Sequence, residues 1–126
     1  GDQAALATLN AIVHPAVNQR SMERIQDALA SGPNTVVIYD IPLLVKVRPE
    51  DPWDLVVVAE APAATRVQRL VTERGLSEAD AEARVASQVS DETRRAIADV
   101  IIDTTGTLAD TQRQVDELWE RVATLA

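Results

Sequence analysis

Three short apolar runs that are rich in β-branched residues limit most strongly how this chain can fold. They occupy residues 36–39, 55–59 and 100–102, and turn-forming residues bound them. A continuous apolar run of this length is typical of a strand buried on both faces of a parallel sheet. The segments around the runs carry apolar residues at helical spacing. Strands that alternate with helices predict an α/β fold with a parallel sheet.

Helix start and stop signals divide the rest of the chain. The first 30 residues have helical spacing, and Pro15 is expected to kink or split that helix because proline lacks a backbone N–H. Pro62 suits the first turn of a second helix, which we expect to end at Gly75. Hydroxyl residues that can cap a helix precede three further helical segments: Ser77, Ser90 and Thr107.

The composition argues against several classes of function. A net charge of −8 over 126 residues disfavours binding to nucleic acids or to anionic membranes. The chain has no cysteine and a single histidine, His14, so zinc and haem sites are nearly excluded. No apolar run approaches the roughly 20 residues of a membrane span, and no secretory signal is visible, so we expect a cytoplasmic protein.

An acidic residue, Asp40, directly follows the first apolar run. Ligands of open parallel sheets bind at the carboxyl ends of the strands, which is where Asp40 would lie. An apolar strand that ends in an aspartate also matches the acidic position that holds Mg²⁺ in phosphate-transferring proteins. The pattern fits equally well an aspartate that only turns the chain as it leaves the sheet.

A series of motifs resembles dephospho-CoA kinase, a P-loop enzyme that uses ATP to phosphorylate the ribose 3′-hydroxyl of dephospho-CoA. The motifs are LNAIVHPAV at 9–17, YDIPLLV at 39–45, DLVVVAEAP at 54–62, RVQRLVTERGLSEADAEARVASQ at 66–88, RRAIADVIIDTTG at 94–106 and QVDELW at 114–119. The resemblance implies a P-loop-kinase-like three-layer parallel sheet, incomplete, with about three strands, flanking helices and a helical lid. It also implies ATP and Mg²⁺ as ligands and the last step of coenzyme A synthesis as the function.

The sequence departs from this family's pattern in three places. The family opens with a strand, a Gly-rich GxxGxGKS loop and an acidic general base, none of which is found here. A phosphate cradle needs converging backbone N–H groups, so we expect the C-terminal portion of such an enzyme, inactive by itself. Lys46 stands where the family commonly has glutamate, and Thr104 where an amide is usual. These two changes put the local charge network and the adenine contact in doubt.

The resemblance assigns roles to individual residues. Arg94 falls on the lid arginine that contacts the transferring phosphates, and an arginine in this role can raise the rate by about 10³–10⁵. The candidates for contacts with ATP phosphates are Arg69, Arg74, Arg84 and Gln88. The candidates for the adenine-binding loop are Asp103, Thr104, Thr105 and Gly106. The candidates for the dephospho-CoA groove are His14, Pro15, Asp40, Pro42, Leu43 and Leu44. No residue is assigned to a metal.

Each of these roles has a structural alternative that the sequence leaves open. Arg94 could be a solvated helix residue, and Arg95 faces elsewhere on the same helix. The other arginines could form ordinary surface ion pairs with Glu73, Glu78 and Glu82. His14 could make only a structural hydrogen bond, the two leucines could cover a sheet edge, and the loop at 103–106 could be a plain turn.

We expect one partial domain over residues 1–126. It comprises substrate-side helices at 1–31, core strands at 36–62, the helical lid at 63–98, and the last strand, adenine-type loop and C-terminal helix at 99–126. Two other functions stay open: a P-loop kinase of nucleosides or small metabolites, against which LNAIVHP argues, and a non-catalytic α/β assembly module. Strands without the phosphate-loop strand between them would have unpaired edges, so two chains could associate as a homo-oligomer.

Overall fold

The structure, a computed structural model, describes residues 2–41 and 53–124. The chain divides into two compact units, Gly1–Asp40 with Thr124–Ala126, and Ile41–Ala123. The elements in chain order are α1 (Gln3–Leu29), β1 (Val57–Glu60), α2 (Ala63–Arg74), α3 (Glu78–Ala86), α4 (Asp91–Ala96), β2 (Val100–Asp103) and α5 (Leu108–Ala123).

The first unit consists mainly of the long helix α1. The Asp2 carboxylate caps it by accepting hydrogen bonds from the amides of Ala4 and Ala5 at 3.0 and 3.1 Å. Pro15 lies inside the helix and does not split it, contrary to one of the two outcomes expected from the sequence. A proline removes one backbone donor, and the helix continues because the residues on both sides keep their own hydrogen bonds.

The segment after α1 does not form the strand that its composition predicts. Residues 35–41 have no strand assignment, and no described residue forms a ladder with them. The prediction of a buried strand over residues 36–39 is therefore wrong, and Ile38 is 83% exposed. A strand requires a neighbour that pairs with its backbone, which β-branched side chains alone do not supply. Tyr39 contacts α1 through a hydrogen bond of 2.8 Å between its hydroxyl and that of Ser21.

The second unit contains a parallel sheet of two strands, where the sequence predicted about three. The pairing of β1 with β2 runs from Val57 opposite Val100 to Glu60 opposite Asp103. The parallel α/β class is thus confirmed. The strands are not buried on both faces as predicted, since exposed and covered residues alternate along them. Each strand has a single partner among the described residues, which leaves its outer edge without a described partner. Association of two chains through these edges stays a prediction.

Local signals in the sequence predicted the helix ends of the second unit correctly. Gly75 ends α2 in the left-handed region, with φ of 67°, a conformation that favours glycine. Hydroxyl oxygens accept from the amide three residues later at the starts of α3, α4 and α5: Ser77, Ser90 and Thr107. The buried apolar residues of the described ranges are few: Ala61, Ala81, Val85 and Ile102.

No helix within the described ranges is both long enough and apolar enough to cross a membrane.

Candidate functional site

Arginine side chains from α2 and α3 line an open surface cavity of about 220 Å³. The residues that line it lie on one side of each helix, since positions three and four apart are neighbours on a helix surface. Four guanidinium groups and one carboxylate give the walls an excess of positive charge, which suits phosphate oxygens. We call this space the arginine cavity, and its lining residues are Arg66, Arg69, Leu70, Glu73, Arg74, Arg84, Val85 and Gln88.

The arginine cavity brings together all four residues that the sequence suggested for contacts with ATP phosphates. Arg69 and Arg74 come from α2, Arg84 from α3, and Gln88 from just beyond the end of α3. The sequence left open that these arginines form surface ion pairs with Glu73, Glu78 and Glu82. In the described part of the chain, the three arginines form none of these pairs. Their charges are therefore not neutralised within the helices themselves.

Arg94 is connected to the arginine cavity through a carboxylate. Its Nη1 donates to the carbonyl of Val89 at 2.6 Å, and its Nη2 donates to Asp91 Oδ1. The same oxygen of Asp91 accepts a hydrogen bond of 2.6 Å from Arg66 Nη2. We call these three residues the Arg66–Asp91–Arg94 cluster. One carboxylate stands between two guanidinium groups, so the cluster keeps a net positive charge.

Arg66 has further polar contacts that shape this cluster. Its Nη1 donates to the side-chain oxygen of Gln88, which therefore faces α2. Its Nε is buried and has no hydrogen-bond partner among the described residues. A buried donor of this kind costs free energy when it is unpaired. An anion beside the Arg66–Asp91–Arg94 cluster would offset its excess positive charge.

The loop after β2 is held to the end of β1 by hydrogen bonds. The amide and the hydroxyl of Thr104 both donate to the carbonyl of Glu60, at 2.8 and 2.9 Å. The amide of Thr105 donates to the Asp103 carboxylate at 2.7 Å. Hydrogen bonds from the Thr105 hydroxyl and amide lower the pKa of the Asp103 carboxyl below its ordinary value. The polar groups of the loop are thus largely satisfied by its own neighbours.

Gly106 ends this loop at a close approach to the next helix. A side-chain carbon at this position would lie 2.9 Å from Oδ2 of Asp110, and this oxygen accepts a hydrogen bond of 3.0 Å from the amide of Thr107. The need for glycine therefore comes from the Asp110 carboxylate within the protein. Stacking of a base against Gly106 stays a prediction.

Arg69 joins the loop to the arginine cavity. Its Nη1 donates to the hydroxyl of Thr104 at 3.3 Å, and its Nη2 donates to the carbonyl of the same residue. The residues predicted for phosphate and for adenine are thus connected through one guanidinium group.

Three of the residues suggested for dephospho-CoA are described by the structure, and all three belong to the first unit. His14 and Pro15 are exposed in the middle of α1. The expectation that they lie at a helix break is wrong, because α1 continues through both residues. Asp40 is exposed at the end of the segment that follows α1. The remaining three residues, Pro42, Leu43 and Leu44, and the substituted position Lys46, lie outside the described residues.

Comparison with known proteins establishes the family. A family model described as dephospho-CoA kinase matches residues 1–110. The chain belongs to the dephospho-CoA kinase family. A protein of Leifsonia xyli named dephospho-CoA kinase is 53% identical to it over 94% of this chain and 60% of that protein. A protein of the same name from Thermobifida fusca is 43% identical over 96% of this chain and 59% of that protein. The chain thus spans about three fifths of the length of these relatives.

A solved structure agrees with the fold. A crystal structure from Thermus thermophilus is 29% identical in sequence and superimposes with a TM-score of 0.73. The match covers 96% of this chain and 61% of that one. The predicted family and the P-loop-kinase-like α/β fold class are confirmed.

Sequence reasoning missed Arg66, Asp91 and the pair of Glu60 with Arg95. Some of them carried a signal that was not used. Arg66 precedes Arg69 by three residues, so both lie on one side of α2. Glu60 directly follows an apolar run, as Asp40 and Asp103 do. The spacing of three residues between Asp91 and Arg94 could have indicated their pair, but the contact of Asp91 with Arg66 spans 25 residues and has no local signal.

Proposed function

We propose that the complete gene product containing this chain transfers the γ-phosphoryl group of ATP to the 3′-hydroxyl of dephospho-CoA in the cytoplasm. The observation that carries the proposal is the arginine cavity together with the adjoining Arg66–Asp91–Arg94 cluster. Membership of the dephospho-CoA kinase family supports the same reaction. Phosphoryl transfer needs little covalent chemistry from the protein and depends mainly on positioning and on stabilising negative charge.

The arginines would supply that stabilisation. In the transition state, negative charge is spread over the oxygens of the transferring group, and guanidinium groups are suited to several oxygens at once. Arg94 contacts the transferring phosphates in this proposal, while Arg69, Arg74, Arg84 and Gln88 contact the remaining phosphates of ATP. The net positive charge of the Arg66–Asp91–Arg94 cluster supports an anion at the same place.

The loop at residues 103–106 would contact the adenine of ATP. The bond from Arg69 to Thr104 favours this arrangement, because it places the loop directly beside the arginine cavity. Asp103, Thr105 and Gly106 complete the loop in this assignment. Thr104 replaces the usual amide, and its hydroxyl is bonded to Glu60 and Arg69, so this side chain would contribute little to the contact with the base.

Dephospho-CoA would be bound by residues from the earlier part of the chain. These assignments rest on the family resemblance alone, and no contact among the described residues supports or opposes them. The proposed residues are His14, Pro15, Asp40, Pro42, Leu43 and Leu44.

The Mg²⁺ ion that the family implies is assigned to no residue of the described part of the chain. Residues 2–41 and 53–124 contain no group of three or more histidine, aspartate or glutamate side chains placed to hold a metal. We therefore give these residues no role in holding the metal, which would enter the site bound to ATP.

Turnover of defined acceptors tests the proposal. The complete gene product is incubated with ATP and, separately, with dephospho-CoA, adenosine, AMP or pantetheine, and products are identified by mass spectrometry. We expect a single phosphate to be added to dephospho-CoA at the 3′ position. Preferential phosphorylation of adenosine or AMP would indicate a nucleoside or nucleotide kinase instead. No transfer to any acceptor would support a non-catalytic module.

A second arm uses the 126-residue chain alone. We expect no measurable transfer, because this sequence contains no Gly-rich phosphate loop and so lacks its electrostatic stabilisation. Turnover of dephospho-CoA by this chain would show that the described arginines suffice.

A further inference from the structure

Glu60 is the buried charged residue of the described ranges, with 8% of its surface exposed. It is the last residue of β1 and lies opposite Asp103 in the sheet. Burying a carboxylate is costly unless a partner compensates its charge. A buried carboxylate at the carboxyl end of a strand, where ligands of parallel sheets bind, therefore calls for a structural or functional explanation.

The partner of Glu60 is Arg95 on the short helix α4. Arg95 Nε donates to Glu60 Oε2 at 2.9 Å, and Arg95 Nη2 lies 2.7 Å from Glu60 Oε1. The contact at Oε2 is a hydrogen bond, whereas Oε1 lies close to the guanidinium without forming one. One charge-assisted hydrogen bond and one ionic contact therefore hold the two groups together. The Glu60–Arg95 pair therefore attaches α4 to the end of β1.

This attachment matters because of what lies beside it on α4. The helix has 6 residues, and a helix this short is not stable without tertiary contacts. Consecutive residues of a helix point in directions about 100° apart. Arg95 thus points to the sheet, while its neighbour Arg94 points to Asp91. The position of Arg94 depends on the contacts that hold the helix.

The backbone of Glu60 makes a second attachment. Its carbonyl accepts the hydrogen bonds from the amide and the hydroxyl of Thr104 that hold the loop after β2. The two sides of the proposed ATP site, the helix with Arg94 and the loop at 103–106, therefore meet at one residue.

We propose that Glu60 and Arg95 are positioning residues, which hold Arg94 where it acts on the transferring phosphate and couple it to the loop at 103–106. The inference rests on the proposed function. Neither residue touches substrate in this view, and both act through Arg94 and Thr104.

Kinetics of paired variants of the complete gene product test the catalytic consequence. Glu60→Gln combined with Arg95→Gln removes the ion pair without leaving a buried charge. We expect kcat to fall by roughly 10–100-fold, as for a catalytic group displaced by about 1 Å, with KM for ATP changed much less. Arg95→Lys should retain a larger part of kcat than Arg95→Gln. The matched control is Arg113→Ala, which removes an exposed arginine of α5 and should leave kcat unchanged.

The decisive arm repeats the paired substitution in an Arg94→Ala background. If Glu60 and Arg95 act by positioning Arg94, their removal costs little more once Arg94 is absent. A full and additive loss in that background overturns the inference, because it would show a general structural defect.

NMR of the arginine side chains gives a readout that does not depend on kinase activity. In protein labelled with ¹⁵N-arginine, we expect the Nε–H signal of Arg94 to show restricted motion, and to lose that restriction in the paired variant but not in Arg113→Ala. Unchanged order of Arg94 overturns the inference even if activity falls. An inactive wild-type gene product would overturn the proposed function, and the NMR result would then decide by itself whether the pair positions Arg94.

Discussion

The arginine cavity and the neighbouring loop at residues 103–106 differ in how completely the protein itself pairs their charged and polar groups. The cavity is lined by four arginines and one glutamate, and Asp91 pairs with one of these arginines, Arg66, so positive charge remains in excess. In the loop, the side chain of Asp103 and the backbone of Thr104 are bonded to adjacent protein groups. The cavity is electrostatically incomplete, whereas the loop is satisfied by the protein itself.

This difference indicates how each region would recognise a ligand. An excess of guanidinium groups favours whichever anion neutralises it, so the cavity contributes binding energy through charge. A loop with satisfied hydrogen bonds is ordered before the ligand arrives, so it contributes shape and backbone edges at little entropic cost. Substitutions in the cavity should therefore change catalysis and the response to anions, while substitutions in the loop should change mainly local stability.

The largest expected effect is that of Arg94→Ala in the complete gene product. Because a contact made to the transferring phosphate stabilises the transition state more than the ground state, kcat should fall by about 10²–10⁴-fold. KM for dephospho-CoA should change much less. Steady-state kinetics with both substrates varied would measure this, with Arg113→Ala as the control. A kcat within about threefold of the wild-type value would remove Arg94 from the proposed mechanism.

A smaller effect is expected for Asp91→Asn, which removes the negative charge between two guanidinium groups. Arg66 and Arg94 would then repel each other, and the free energy of unfolding should fall by about 1–2 kcal/mol. Pyrophosphate should restore more stability to this variant than to the wild type, because the anion replaces the lost charge. Urea unfolding with and without pyrophosphate measures both quantities.

The control for this prediction is Glu92→Gln, which changes the adjacent exposed residue of α4. Equal stabilisation of wild type, Asp91→Asn and control by pyrophosphate would mean that the cluster does not bind the anion. The contrast between a cavity with excess positive charge and a loop with satisfied hydrogen bonds would then be wrong.

Thr104→Val should have a modest effect on stability. The substitution removes the hydroxyl that donates to the Glu60 carbonyl and accepts from Arg69, but keeps the amide bond to the same carbonyl. We expect a loss of about 1 kcal/mol in the free energy of unfolding, the usual value of one hydrogen bond. Thr111→Val, which removes a long exposed hydrogen bond of 3.4 Å, is the matched control for urea unfolding. Equal losses for the two variants would mean that the loop is not anchored at Thr104.

The smallest effect concerns the response of the loop to acid. The pKa of Asp103 is lowered in the folded protein from its ordinary value of 3.8, first by the Thr105 hydroxyl and then by the Thr105 amide. A lowered pKa stabilises the folded state above the ordinary value, and this contribution is lost as the pH falls through the lowered pKa. Urea unfolding below pH 4 should therefore show a loss of stability that is weaker in Asp103→Asn.

A titration followed by NMR of the Asp103 carboxyl carbon sharpens this test. Thr105→Val removes the hydroxyl and keeps the amide, so the pKa of Asp103 should move back towards its ordinary value. If the titration is the same in Thr105→Val and in wild type, the hydroxyl does not hold the carboxylate.

Strand pairing was the part of the fold that sequence reasoning predicted least well. Residues 36–39 and residues 55–59 have equally apolar, β-branched sequences, yet only the second run contributes to a strand, Val57–Glu60. The difference lies in whether another strand runs alongside, since β2 pairs with one and no described residue pairs with the other. Propensity describes a residue's fit to a sheet and does not supply the neighbouring strand.

The sequence by itself determined the helix ends of the second unit, the α/β class and the family. Capping at Ser77, Ser90 and Thr107 depends on atoms three residues apart, so the local order of residues is sufficient to specify it. Only the tertiary structure decided which charges meet. The contacts of Arg66 with Asp91 and of Arg95 with Glu60 join residues 25 and 35 positions apart. Such contacts arise because packing brings distant helices and strands together, and no local pattern encodes the partner.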